Sequence, residues 1–223
     1  MALDKSRTSL GVKIVLIILA IAMVSYLGGG LLGIFSSSGT SPTTKSDVLG
    51  TIAAQYTPTV ASNDAILRSD PTSYTVLVNQ GNTYFDWAIK VQQASGTDQA
   101  LLGTDQPMWL AAQQYYARAQ AVKADDPPVN VDLAIAYFYS GETTKAIVTA
   151  TTVSKKHADF APAWFNLGVF YGSSGNNAAA IAAFERAVAL DPKGTNINAS
   201  YAQQQIQALK GSTTATGSAT TTP

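Results

Sequence analysis

The chain contains no cysteine and a single histidine, His157, among 223 residues. No disulfide can staple it, no thiolate can ligate a metal, and an N-terminal lipidated cysteine is excluded. One histidine rules out a multi-histidine metal site and leaves a histidine-based triad without its cysteine variant. His157 follows Lys155 and Lys156 at the expected end of a helix, where cations complement the helix dipole. Charge is also scarce: 13% of residues are Asp, Glu, Lys or Arg, and the formal net charge is zero. Beyond residue 35 the balance is 11 basic against 13 acidic residues, so no basic stripe is available for nucleic acid. Asp98 and Asp105 lack the alternating carboxylates and closing glutamate of a calcium loop. No phosphate-cradling glycine loop occurs. No catalytic, cofactor-binding or metal-binding residue is expected, and the chain reads as a non-enzyme.

What the sequence does contain is a 34-residue spacing. Leu133, Ala134, Tyr137, Gly141 and Ala146 recur 34 positions later as Leu167, Gly168, Tyr171, Gly175 and Ala180. Within residues 161–194, Trp164, Leu167, Gly168 and Tyr171 fall at i, i+3, i+4, i+7, one face of an α-helix. Gly175 marks a turn; Ala180, Phe184 and Ala187 form a second helical stripe, which Pro192 terminates. Small residues at 168, 180 and 187 predict close helix contact there. A period of this length signifies stacked helix pairs, each unable to bury its apolar face alone.

This pattern resembles the tetratricopeptide repeat (TPR) family, all eight of whose signature positions match in residues 161–194. Residues 127–160 match less fully, with Asn130 in place of the tryptophan, Ala150 in place of the phenylalanine and Ala158 in place of the proline. Asp126 is expected to cap their first helix ahead of Pro127 and Pro128. A stretched unit precedes them. Leu77, Gly81 and Tyr84 give the first-helix spacing, and Ala112, Tyr116 and Ala119 the second, with 19 extra residues between. Its first helix should run over residues 71–94, followed by a loop over 96–106 and a partner helix opening at Pro107. A capping helix is expected over 197–209. The fold class is therefore all-α, a TPR-type helix-pair solenoid of about three repeats plus a capping helix behind an N-terminal transmembrane helix.

Residues 14–35 carry no charge and would reach about 33 Å as a helix, enough for a hydrocarbon core of about 30 Å. The stretch is longer than the apolar region of a signal peptide and ends without a convincing cleavage site. Lys5, Arg7 and Lys13 precede it, so the N-terminus is expected in the cytoplasm and the repeats outside. Ser25, Gly29 and Gly33 form a small-xxx-small seam suited to helix pairing in lipid. Residues 36–44 read as a flexible spacer, 47–56 as a short amphipathic helix ended by Pro58, and 211–223 as a disordered tail.

The resemblance implies a partner-binding groove lined by the first helix of each pair. Its expected residues are Val78, Asn82, Phe85, Val131, Ile135, Phe138, Tyr139, Phe165, Asn166 and Val169. None is Lys or Arg, which disfavours capture of a chaperone C-terminal carboxylate; an apolar, aromatic groove suits a hydrophobic or amphipathic peptide. The alternative occupants are the chain's own 47–67 segment or a second copy. Two functions remain open: a membrane-anchored scaffold that recruits a protein partner, and a self-associating envelope protein.

Overall fold

The computed structural model describes residues 45–217, which fall into two compact units, 45–122 and 123–217. All regular structure among them is helical. The expected anchor at 14–35, with its Ser25/Gly29/Gly33 seam, lies outside the described residues. Among the described residues, no helix is long and apolar enough to cross a membrane.

The first unit contains α1 (Lys45–Ser69), α2 (Tyr74–Ser95), a 3₁₀ turn (Gln99–Leu101) and α3 (Gln106–Val122). Helix α2 packs against both α1 and α3. The α2–α3 contact is set by Gly81: a Cβ there would lie 2.6 Å from Cε1 of Tyr116, so only glycine admits the ring. Tyr116 also donates to Asn82 Oδ1 at 2.8 Å. Phe85, Trp109 and Tyr116 complete a core of edge-to-face rings, all three fully buried. The inserted residues are short and ordered: Asp98 caps the 3₁₀ turn through Ala100 N–H, and Leu101 is fully buried beneath it.

Helix α1 departs from the sequence reading. The short helix expected over 47–56 extends to Ser69, with Pro58 in its interior. Proline there removes one backbone hydrogen bond and crowds the preceding turn, at a cost of about 3 kcal/mol in an isolated helix. Tertiary contacts carry the helix through: Ile52, Asn63 and Leu67 are buried, and Tyr56 stacks on Trp87 of α2 at 5.7 Å. Part of this contact is polar. Gln80, fully buried, accepts from Asn63 at 2.8 Å and donates to Asp64 at 2.9 Å.

The second unit contains α4 (Pro127–Tyr139), α5 (Thr143–Lys156), α6 (Ala161–Ser173), α7 (Asn177–Leu190) and α8 (Ala199–Gly217). Successive helices pack antiparallel as pairs, and the first helices α4 and α6 also touch. Both pairs turn identically. Gly141 and Gly175 adopt φ of 87° and 78°, and the following N–H groups of Glu142 and Asn176 reach back to the Tyr137 and Tyr171 carbonyls. This left-handed cap satisfies the orphan carbonyls of the first helix and reverses the chain.

Close contact in the α6–α7 pair has a different form from the one the small residues suggest. A Cβ at Gly168 would stand 2.5 Å from Phe184 Cδ1, so Gly168 makes room for an aromatic ring. Ala180 instead faces Gly172, one turn further on, where an added Cβ would meet the Ala180 methyl at 3.7 Å, an ordinary contact. The pair α4–α5 solves the same problem inversely: Ala134 stands where Gly168 does, Ala150 where Phe184 does, and both are fully buried. Helix α8 also continues past Gly211, where the sequence suggested an end, to Gly217. Gly211 keeps helical backbone, and a lone glycine costs a helix only about 1 kcal/mol.

Candidate partner-binding surface

The N-terminus of α4 is built by Asp126, which is buried, accepts from Val129 N–H at 3.4 Å and holds Lys123 Nζ at 2.9 Å. Its neighbour Asp125 has a separate task. It bonds His157 Nε2 at 2.7 Å and Lys156 Nζ at 3.1 Å, tying the end of α5 to the approach to α4. The His157 hydrogen bond, then the Lys156 contact, hold the Asp125 carboxyl below its ordinary range. At the far end of the second repeat Asp191 is buried and accepts from the N–H groups of Thr195, Asn196 and Ile197. Burial works against its charge, but these backbone donors prevail and its pKa is lowered.

The ten expected groove residues divide between the two units and by burial. In the first unit Val78 and Phe85 are buried, and Asn82 is half-buried and bonded to Tyr116. In the second unit Val131, Ile135, Phe165 and Asn166 are buried. Phe165 belongs to the core: its ring meets Phe184 at 5.7 Å and Tyr201 of α8 at 6.0 Å. Asn166 returns its side-chain N–H to the Pro162 carbonyl of its own helix. Water still reaches Phe138, Tyr139 and Val169, all half-buried. Phe138 stacks on Phe170 at 4.9 Å and meets Tyr139 edge-on at 5.4 Å, joining the C-terminal halves of α4 and α6.

Periodicity could not separate these classes. On a first helix, residues facing the paired helix and residues facing an open groove are both apolar, and Phe165 and Phe138 look alike until α8 is present. Sequence reasoning also missed a half-buried aromatic row on the first unit, formed by Tyr56, Trp87, Tyr84 and Tyr115. The i, i+3 spacing of Tyr84 and Trp87 on α2 was the available signal. Among the described residues, no group of three or more His, Cys, Asp or Glu side chains could hold a metal ion.

Residues 161–193 match the family model described as tetratricopeptide repeat. No curated protein matches the chain. Among solved structures, a crystal structure of MamA protein aligns at 17% identity with a TM-score of 0.51, covering 74% of this chain and 84% of that one. A second, MamA AMB-1, aligns at 17% identity and TM-score 0.51 over 76% of this chain and 80% of its own. The first TPR domain of human RPAP3 aligns at 16% identity and TM-score 0.51, covering 67% of this chain and 98% of that domain. At these identities the likeness is one of fold. Residues 161–193 thus match a tetratricopeptide repeat, and the chain shares the helix-pair fold of these structures.

Proposed function

We propose that the chain is a membrane-anchored TPR scaffold, held by residues 14–35, whose second unit takes a protein or peptide segment on the extracytoplasmic side. The observation that carries the binding reading is the pairing of α4 and α6, which leaves Phe138, Tyr139 and Val169 half-buried on adjoining first helices. Exposed aromatic and aliphatic surface on a rigid helical frame is what a hydrophobic or amphipathic segment buries on docking. Of the expected lining on α4 and α6, the buried Val131, Ile135 and Phe165 belong to the packing of the second unit. The anchor reading rests on the uncharged run at 14–35, and the orientation on the three cations before it.

Crosslinking in intact membranes, followed by isolation of this chain, tests the scaffold. A foreign protein joined near α4 and α6, lost in Tyr139→Ala and Val169→Glu, is the expected result. Circular dichroism of both variants should match the parent, because neither position is in the closed core. Self-crosslinks without foreign partners would transfer the function to the self-associating alternative.

A further inference from the structure

The first unit carries a continuous row of half-buried aromatic side chains outside its sealed core. Tyr56 of α1 stacks on Trp87 of α2 at 5.7 Å, Trp87 on Tyr84 at 6.0 Å, and Tyr84 on Tyr115 of α3 at 5.7 Å. Successive planes differ by 7°, 6° and 9°, so the four rings run near-parallel across three helices. The row ends in a cation: the Arg118 guanidinium lies 5.3 Å from the Tyr115 ring centroid. Every member is half-buried, in contrast to the fully buried Phe85, Trp109 and Tyr116 of the same unit.

Its hydrogen-bonding state is one-sided. The outer hydroxyls are used internally, Tyr56 donating to the Asp86 carbonyl and Tyr115 to Asp64 Oδ1. The two inner donors are not: among the described residues, neither the Trp87 indole N–H nor the Tyr84 hydroxyl has a hydrogen-bond partner, and neither is sealed from water. Beside them, Asp64 accepts from Gln80 and Tyr115, both neutral donors, and among the described residues no cation pairs with it. The surface thus offers ring faces and edges, two free donors and one uncompensated negative charge.

We propose that this row is a docking surface for an extended proline-rich segment carrying a flanking lysine or arginine. A polyproline II chain makes no internal hydrogen bonds, has carbonyl acceptors along its length and lacks N–H donors at each proline. It needs what Trp87 and Tyr84 supply, and its compact, conformationally restricted pyrrolidine rings pack on aromatic side chains with little loss of conformational entropy. A helical peptide has no free carbonyls mid-helix to receive the two donors. Charge complementarity selects the flanking residue: Asp64 attracts a cation at one side, whereas Arg118 repels one at the Tyr115 end. Tyrosine, tryptophan and arginine are also the residue types that dominate binding energy at interfaces. The site lies wholly within the first unit and is independent of the α4–α6 surface.

The test is calorimetric titration of the full-length chain, in detergent or nanodiscs, with decaproline, decaproline flanked by arginine, and a glycine–serine peptide of equal length. Saturable binding of both proline peptides, and none of the control, is expected. Tyr84→Phe keeps the ring and removes the hydroxyl, and Trp87→Phe keeps a smaller aromatic face without the indole N–H, so each should weaken binding roughly three- to tenfold. Asp64→Asn should erase a preference of about two- to fivefold for the arginine-flanked peptide while leaving plain decaproline unaffected. Tyr139→Ala should change nothing here. Failure of both proline peptides to bind, equal binding of the control, or unaltered affinity in both donor variants would overturn the proposal. So would self-association of the chain that Trp87→Ala abolishes, which would make the row an interface between copies.

Discussion

Single residues set the helix contacts in this protein, and Gly168 is the clearest case. A methyl group there meets the Phe184 ring at 2.5 Å, so Gly168→Ala should cost about 1–3 kcal/mol through overpacking. Phe184→Ala removes a buried ring and should cost about 3–5 kcal/mol. The double variant reproduces the Ala134 and Ala150 combination of the preceding repeat. Its cost should fall short of the sum by about 1 kcal/mol or more, as read from urea denaturation. Strict additivity would mean that the two positions do not share one space. The reason for the glycine was only half legible in sequence: smallness announced a close approach, but not that a ring rather than a second backbone makes it.

Asp191 belongs to the same scale. Its carboxylate is stabilised in the folded state, so its pKa lies below the ordinary value of 3.8. The stability it adds is therefore present above that value and lost as pH falls through the lower, folded one. Asp191→Asn should lower stability at neutral pH by about 1–3 kcal/mol, and its denaturation midpoint should vary less than the parent's in acid. An equal acid response in both proteins would remove Asp191 from the account.

At the scale of the element, the turns and α1 make opposite demands on glycine. Gly175 has a φ of 78° and open space around its Cα, so Gly175→Ala should cost about 1 kcal/mol from backbone conformation alone. Gly50 lies inside α1, also in open space, so Gly50→Ala should stabilise by about 0.5–1 kcal/mol. Thermal melts of the two variants should shift in opposite directions. The turn glycines were readable because their spacing repeats. The run of α1 across Pro58 was not, because its partners on the two sides of the proline, Trp87 against Tyr56 and Gln80 against Asn63, lie 29 and 22 positions beyond Pro58 in the chain.

For the whole molecule, the proposed topology gives one further expectation. Protease added to intact cells or spheroplasts should digest residues beyond 45 and spare the N-terminus, as seen with antibodies to tags at each end. Protection of the repeats until the membrane is opened would reverse the orientation. Either result leaves the tetratricopeptide-repeat fold untouched, because helix pairing and membrane topology depend on different parts of the chain.

The sequence by itself determined the helix-pair repeat, its turns and its caps, since these depend on residues within about one repeat of each other: Gly175 after Tyr171, and Asp126 before Val129. It also determined what chemistry is missing, because no arrangement in space can supply absent cysteines or a second histidine. Tertiary structure alone decided which apolar residues close the core and which stay open. Phe165 is sealed by Phe184 and Tyr201, whereas Phe138 is met by Phe170 and remains within reach of water. The physical reason is that helical periodicity reports a face, while burial depends on the neighbour that arrives at that face. Only the packing of α1 and α3 on α2 brings four scattered aromatic side chains into one row.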